Sequence, residues 1–399
     1  MSDKKRILFV DDEQNVLDGL RRMLRSMRSE WDMAFATGGD EALEILATKR
    51  FDVIVSDLRM PGMSGKQLLA EVRKRHPVIV RLVLSGQADK DSILKSVGPI
   101  HQFLQKPCDE EMLKSTICRT IEMGDLFADE NLKSMVTELE SLPSPPSHQQ
   151  ELMAQFQIPG VSPKLIGESI SRDLAMTAKI LQLVNSSFFG LRRHVGNPAD
   201  AVMLLGMDTV RSLVMIMQVF TQVSQDEIKG FSQDALLSHS IAVATIAKKI
   251  AQTEGMHPAE AEDAYLAGLL HDVGKLVFAA KRPEEFAEAL AVARSQHLSG
   301  EEAERQVIGA SHSEIGAYLL GLWAFETPIV DAALYHHCPG KHGCSRFSIS
   351  TAVHVANAIV RQDPNTNHAA ELDIDREYLD RIGVGNRLGA WQDASPCAA

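Results

Sequence analysis

The chain has 399 residues, 45% hydrophobic and 24% charged, which is enough for two or three domains with buried cores and unlike a disordered or fibrous composition. Its formal net charge of −12 argues against sequence-independent binding to DNA or anionic lipid, because such binding relies on Lys and Arg neutralising phosphates. Five cysteines (Cys108, Cys118, Cys338, Cys344, Cys397) give no disulfide framework and fit a reducing compartment.

The opening Met-Ser-Asp-Lys-Lys-Arg is charged like the start of a signal peptide, but the apolar run Ile7–Val10 is cut off by Asp11 and reads as a first strand. No apolar stretch approaches the roughly 18 residues that span a bilayer, so a cytoplasmic chain without a membrane segment is expected. Asp11 and Asp12 follow that first run. Residues 52–65 then read Asp-Val-Ile-Val-Ser-Asp57-Leu-Arg-Met-Pro61-Gly62-Met-Ser-Gly65, an acid ending a short apolar run before a Pro/Gly turn. Ser85 follows Val80–Leu84, and Lys106-Pro107 follows Ile100–Leu104. Acids, hydroxyl and ammonium thus each end a β-like run, and in a doubly wound parallel sheet those ends meet at one edge. Phosphoryl transfer needs carboxylates to hold Mg²⁺, an acceptor oxygen in line, and fixed donors around the moving oxygens. Asp11, Asp12 and Asp57 supply the carboxylates, and their mutual repulsion implies a hard divalent ion.

Five separated elements of this pattern agree in type and order with the receiver domain of bacterial two-component response regulators, which residues 4–125 resemble. The resemblance implies a flavodoxin-like α/β doubly wound fold and Asp57 as the aspartyl-phosphate site. It implies Asp12 and Asp57 as Mg²⁺ ligands with Asp11 assisting, and Ser85, Phe103 and Lys106 as the residues that carry the response. Phe103 sits where such domains keep an aromatic residue whose rotamer follows the hydroxyl, and it is expected to turn inward. A sensor histidine kinase is the implied phosphodonor.

From Asp109 to Ser141, Met112, Leu113, Ile117, Ile121, Leu126, Leu132, Met135, Val136 and Leu139 recur at helical spacing, with Gly124 the weak point. This stripe either packs on its own domains or pairs with a second copy, leaving a homodimer through residues 109–142 open. Leu142-Pro-Ser-Pro-Pro146 ends the connector, since proline cannot continue a helix. The domains expected are 1–124, a connector 125–146, an all-α domain 147–393, and a frayed tail 394–399.

Beyond Ser147 the pattern predicts helices at about 150–157, 162–172, 174–186, 198–206, 208–222, 233–253, 259–270, 283–296, 312–322, 326–337 and 348–361. Ser162-Pro163, Asn197-Pro198 and His257-Pro258 mark helix starts, the last followed by Glu260 and Glu262. Leu142-Pro143-Ser-Pro145, Asp173 to Gly190 with Asn185-Ser186-Ser187, and Ala201-Val-Met-Leu-Leu-Gly206 carry no catalytic chemistry themselves. In that order they resemble the HDOD output domain, a helical relative of the HD phosphohydrolases, over about residues 135–385. The implied output is engagement of a downstream protein partner.

A second constellation is His239, then His271-Asp272-Val-Gly-Lys275, then His312, then His336-His337. Histidine nitrogens with a bridging carboxylate suit a mono- or dinuclear Fe, Mn or Zn centre, which lowers the pKa of bound water for attack on phosphorus. Matching positions bind metal in the catalytic HD family and its HD-GYP branch. The carry-over names His239, His271, Asp272, His312, His336 and His337 as ligands and Lys275 as a phosphate binder. Three departures oppose hydrolysis: His354-Val-Ala-Asn357 has an amide where the family has an Asp, Cys338-Pro-Gly-Lys replaces Gly-Tyr-Pro, and Ala235 offers no carboxylate. Three readings stay open: a structural cluster of histidines around Asp272, a bound metal without turnover, and a phosphorylation-regulated metal-dependent phosphohydrolase. His336-His337-Cys338-Pro-Gly-Lys-His342-Gly-Cys344 also reads as a zinc knuckle of unusual spacing, or as a loop whose paired histidines belong to the larger site.

Met203, Met207, Met215 and Met217 near Leu213–Phe220 are expected in the core, a pliable partner groove being the alternative. Arg192-Arg193-His194 and Lys248-Lys249 read as solvated faces, and residues 371–393 as a tail packed on the domain. No basic recognition helix supports nucleic-acid binding.

Overall fold

The computed structural model describes residues 4–85, 100–139, 151–185, 195–214, 228–361 and 374–393, apart from positions 126, 128, 153, 157, 159, 208, 209, 212 and 213. Outside the described residues lie Leu142–Pro146, Ser186–His194, most of 208–222, residues 371–373 and the tail 394–399. The chain forms two compact units, the first built mainly from residues 1–141 and the second mainly from residues 142–399.

In the first unit, strands β1 (Lys5–Val10), β2 (Trp31–Ala36), β3 (Val53–Asp57), β4 (Val80–Ser85) and β5 (Gln102–Gln105) form a parallel sheet in the order β2-β1-β3-β4-β5. Their continuous apolar runs suit strands covered on both faces, and Ile7, Leu8, Val53, Ile54, Leu82 and Val83 are fully buried. Helices α1 (Gln14–Met23), α2 (Gly39–Thr48) and α3 (Gly65–Arg75) supply crossovers. The direction of strand order reverses between β1 and β3, where this topology opens its ligand crevice. Register decides what lies there. Val10 pairs Ser56, Asp57 pairs Leu84 and Ser85 pairs Gln105, so Asp11, Asp57, Ser85 and Lys106 reach one edge within two residues of one another.

Helix α4 (Glu110–Asp125) ends just past Gly124, and α5 (Glu130–Thr137) restarts with Asp129 accepting from the Asn131 N–H at 2.8 Å. Leu113, Ile117, Leu132, Met135 and Val136 of the stripe are buried within the single chain, while Met112 is exposed. The end of α5 is tied down by Arg81 of β4, only 1% exposed. Its guanidinium donates to the carbonyls of Ile79 (3.0 Å) and Pro77 (3.3 Å) and to that of Thr137. His101 accepts from the Arg81 N–H through Nδ1 (3.0 Å), which leaves its Nε2 proton to meet the Thr137 carbonyl at 2.9 Å. The Thr137 hydroxyl donates to the Pro77 carbonyl at 2.7 Å. A helix C-terminus carries unpaired carbonyls and partial negative charge, and a buried cation there answers both.

The second unit is helical: α6 (Pro163–Ile170), α7 (Leu174–Asn185), α8 (Pro198–Leu205), α9 (Gln233–Thr253), α10 (Pro258–Leu270), α11 (Val273–Lys281), α12 (Pro283–Gln296), α13 (Gly300–Val307), α14 (His312–Leu322), α15 (Thr327–Tyr335), α16 (Ile349–Arg361), α17 (Arg376–Arg381) and α18 (Leu388–Asp393). Ser162, Asn197 and His257 cap helices that begin on proline, as the sequence predicts. Up to residue 361, two helices were not anticipated. α11 follows Asp272 without a spacer and has a glycine inside, and α13 is mostly charged, although Ser299 and Glu302 form a capping box at its start. Met203 is 61% exposed and so stays out of the core expected for it. Tyr378, Leu379 and Trp391 are buried, and Trp391 donates to Glu254 at 2.8 Å, so the end of the described chain packs on the domain. Among the described residues no helix is long and apolar enough to cross a membrane.

Replacing Arg81 with Leu strips donors from several buried carbonyls at a cost on the order of 1–3 kcal/mol. Hydrogen exchange across residues 130–139 is expected to quicken by roughly tenfold or more while Glu110–Asp125 is unchanged. Unaltered exchange there would contradict the role given to Arg81.

Candidate functional site

At the switch crevice the Lys106 ammonium lies 2.6 Å from Asp11 Oδ2 and 2.5 Å from Asp57 Oδ1. The second oxygen of Asp57 accepts from the Arg59 N–H at 2.7 Å, and Asp11 accepts from the Glu13 N–H at 3.0 Å. Burial raises the Asp57 carboxyl above its ordinary pKa, with the Lys106 contact pulling the other way. Burial also opposes the Lys106 ammonium, but Asp11 and Asp57 outweigh it and its pKa rises. Asp11 is 2% exposed, whereas Asp12 is an exposed residue. The turn after Asp57 depends on Gly65, since a Cβ there would meet the Asp57 carbonyl oxygen at 1.8 Å. Ser64 caps α3 reciprocally with Gln67. Phe103, on β5 three residues before Lys106, is buried at 4% exposure. The acid oxygens are hard donors of the kind Mg²⁺ takes.

The second cluster is assembled from helix ends. His239 comes from the middle of α9, His271 closes α10, Asp272 precedes α11, His312 opens α14, and His336 and His337 follow α15. Two glycines allow the approach: a Cβ on Gly268 would lie 2.7 Å from the Ala244 Cα of α9, and one on Gly274 would lie 2.0 Å from the His312 carbonyl oxygen. The two Asp272 oxygens divide the ring nitrogens between them. Oδ1 lies 3.1 Å from His312 Nε2 and 3.6 Å from His336 Nε2. Oδ2 lies 2.6 Å from Lys275 Nζ, 3.5 Å from His271 Nε2 and 3.9 Å from His239 Nε2. Ligand atoms of His239, His271 and Asp272, and separately of His312, His336 and His337, come within 4.8 Å of one another.

Tautomers follow from the backbone. His271 Nδ1 meets the Gly268 carbonyl at 2.7 Å and His336 Nδ1 meets the Ala333 carbonyl at 2.8 Å. A carbonyl only accepts, so Nδ1 carries the proton in each neutral ring and Nε2 keeps its lone pair. Those two Nε2 atoms and Asp272 Oδ1 are buried without an aligned hydrogen bond, the 3.1 Å approach of His312 included. Buried polar atoms are seldom left so, and this donor set fits a borderline transition metal. His312 differs. Its Nδ1 and its backbone N–H both meet Glu304 Oε2 at 2.7 Å, and Glu304 is 3% exposed. Sequence reasoning missed Glu304 because α13 was missed; the Ser299–Glu302 capping box was the signal that could have found it.

Burial drives His271 down to about 4 and His336 well below its usual range. Burial also opposes a charged His312, but Glu304 and Asp272 outweigh it and lift the pKa to about 9. For Asp272, burial pushes upward, yet Lys275, His271 and His312 hold the carboxyl well below its usual range. His354 does not extend this set, since it donates to the His336 carbonyl (2.7 Å) and accepts from the Asp375 N–H (3.0 Å), a structural role. The zinc-knuckle reading fails, because His342 pairs with Asp331 at 3.0 Å and the groupings among the described residues contain no cysteine.

The receiver-domain family model (response regulator receiver domain) matches residues 7–118, and the HDOD domain model matches residues 142–339. The chain is therefore a response regulator. It belongs to those that join an N-terminal receiver to a C-terminal HDOD output domain, and a receiver implies an upstream phosphodonor such as a histidine kinase. The hydrogenase transcriptional regulatory protein HoxA of Cupriavidus necator is 39% identical over 132 residues, covering 32% of this chain and 27% of HoxA. An uncharacterized protein of Treponema pallidum is 26% identical over 206 residues, covering 51% of this chain and 39% of its own. This chain thus spans well under half of either relative. The MmoQ response regulator of Methylococcus capsulatus is a solved structure at 25% identity, covering 63% of this chain and 98% of that one with a TM-score of 0.49.

Ring-nitrogen NMR of the metal-free protein should show His312 protonated at neutral pH with a midpoint near 9, and His271 neutral down to about 4. His312 then contributes full stability below its usual 6.5 and loses it as pH rises through about 9. His271 contributes above 6.5 and loses its share as pH falls through about 4. A His312 midpoint near 6.5 would contradict the Glu304 assignment.

Proposed function

We propose that Asp57 accepts a phosphoryl group from a sensor histidine kinase in the cytoplasm and that the HDOD half acts on an unidentified protein partner. The observation that carries the first part is the Lys106 ammonium bridging Asp11 and Asp57 at the sheet's switch point. Asp57 Oδ attacks phosphorus as the bond from phosphorus to the kinase histidine breaks. Asp11, Asp12 and Asp57 would hold Mg²⁺, which supplies charge neutralisation for the transferred group. Lys106 leaves its ion pair with Asp57 for the new phosphoryl oxygens, and the Ser85 hydroxyl donates to them. Ser85 ends β4 and Lys106 follows β5, while Arg81 in β4 and His101 just before β5 hold the end of α5. The proposed signal route therefore runs along them into the connector.

A second reading is favoured by the orphaned Nε2 atoms of His271 and His336: the cluster His239, His271, Asp272, His312, His336 and His337 holds Fe, Mn or Zn. Such an ion would offer Lewis acidity to a phosphoester, but the chain's own residues favour binding without turnover. Lys275, the phosphate binder of a hydrolase, is spent on Asp272.

Acetyl phosphate should label the full chain in the presence of Mg²⁺, and Asp57→Asn should reduce labelling to background. Undiminished labelling of that variant would refute the acceptor assignment.

A further inference from the structure

We infer that the histidine cluster accepts one divalent ion rather than two, at His312, His336, His337 and Asp272 Oδ1, with the Lys275 ammonium standing in for a second cation on Oδ2. This deepens the ion-binding reading and rests on it. Each half of the cluster offers ring nitrogens with one side of a shared carboxylate, but the halves differ in what that carboxylate already holds. Lys275 sits one helical turn after Asp272, and its Nζ reaches Oδ2 at 2.6 Å. An ion shared by His239 and His271 would need the same oxygen, from which their Nε2 atoms stand 3.9 and 3.5 Å away. It would have to expel the ammonium or lie against it.

On the Oδ1 side the near neighbours are ring nitrogens, His312 Nε2 at 3.1 Å and His336 Nε2 at 3.6 Å, which an ion would recruit as ligands by displacing at most a proton rather than a tethered ammonium. His336 presents a buried Nε2 lone pair fixed by its bond to the Ala333 carbonyl. His337 Nε2 and His312 Nε2 are 3.2 Å apart, so both already point at one spot. Glu304 holds the far side of the His312 ring and makes Nε2 the nitrogen left for an ion, which makes Glu304 a positioning residue. Three imidazoles and a carboxylate oxygen form a four-donor set suited to Zn²⁺.

Charge gives the same answer independently. The groupings contain one carboxylate, Asp272, and Glu304 behind His312 adds a second. Against these two negative charges stands the Lys275 ammonium. One divalent ion with neutral imidazoles leaves a net charge of about +1, and two would leave about +3 around a cluster in which His271, Asp272, Glu304, His312 and His336 are buried. A low-dielectric interior resists such an excess.

The test is ion stoichiometry by native mass spectrometry on the untagged full chain loaded with Zn²⁺ and desalted, with Asp11→Asn and Asp12→Asn in every sample, the wild type for the cluster included, so that the receiver adds no ion, the charge-state envelope reporting folding. The wild type should hold one ion. His337→Ala, with His337→Gln as the milder variant, should lose it, and His239→Ala should keep it. Lys275→Met should admit a second ion, which His239→Ala in the same chain should remove again. Two ions on the wild type, or one ion lost with His239 and kept without His337, would overturn the inference while leaving ion binding intact. Lys275→Met remaining at one ion would overturn the part given to Lys275. No ion on any chain would overturn both this inference and the reading beneath it.

Discussion

A carboxylate removed from water stays ionised only if cations or donors replace the water, and both halves of this chain are organised around that requirement. In the receiver the solution is Lys106, from beyond β5, set between Asp11 and Asp57 from β1 and β3. In the HDOD half it is Lys275, set on Asp272 from the same helix start, with four ring nitrogens within 4 Å of the Asp272 oxygens. The consequences differ with the origin of the lysine. Lys106 arrives from beyond another strand, and the proposed mechanism has it change partners when a phosphoryl group appears. Lys275 lies one turn from its partner on a rigid helix and has little freedom to leave it.

The same economy of charge explains the connector. Arg81 stands in an apolar strand that would otherwise exclude it, and its guanidinium donates to the carbonyls of Pro77, Ile79 and Thr137. Its strand carries Ser85 four residues later, at the sheet edge that also holds Asp57. One strand therefore has the residue proposed to respond at its C-terminal end and the clasp on α5 at its N-terminal end. That arrangement gives a displacement at Asp57 a physical way to be felt at Thr137.

Much of this was legible in the sequence where chemistry repeats a spacing. Acids at the ends of apolar runs gave the parallel sheet and the position of Asp57, and prolines after Ser162, Asn197 and His257 gave helix starts that the structure keeps. The histidines declared a cluster, but its division between the two oxygens of Asp272 needs coordinates, because sequence spacing says nothing of which oxygen a ring faces. Glu304 was invisible for a different reason: its helix is so charged that periodicity could not separate it from a solvated loop. Arg81 and His101 were invisible because an isolated cation in a strand looks like an edge residue until its partners are seen.

The most direct test of this electrostatic account is a double-mutant cycle on the metal-free full chain, with Asp272→Asn, Lys275→Met and the pair, read by chemical denaturation of the HDOD transition. If the ammonium stabilises the buried carboxylate, each single variant destabilises and the double variant recovers part of the loss, with a coupling of roughly 1–3 kcal/mol. Losses that simply add would mean that Asp272 is held by the histidines alone and that the role assigned to Lys275 is wrong.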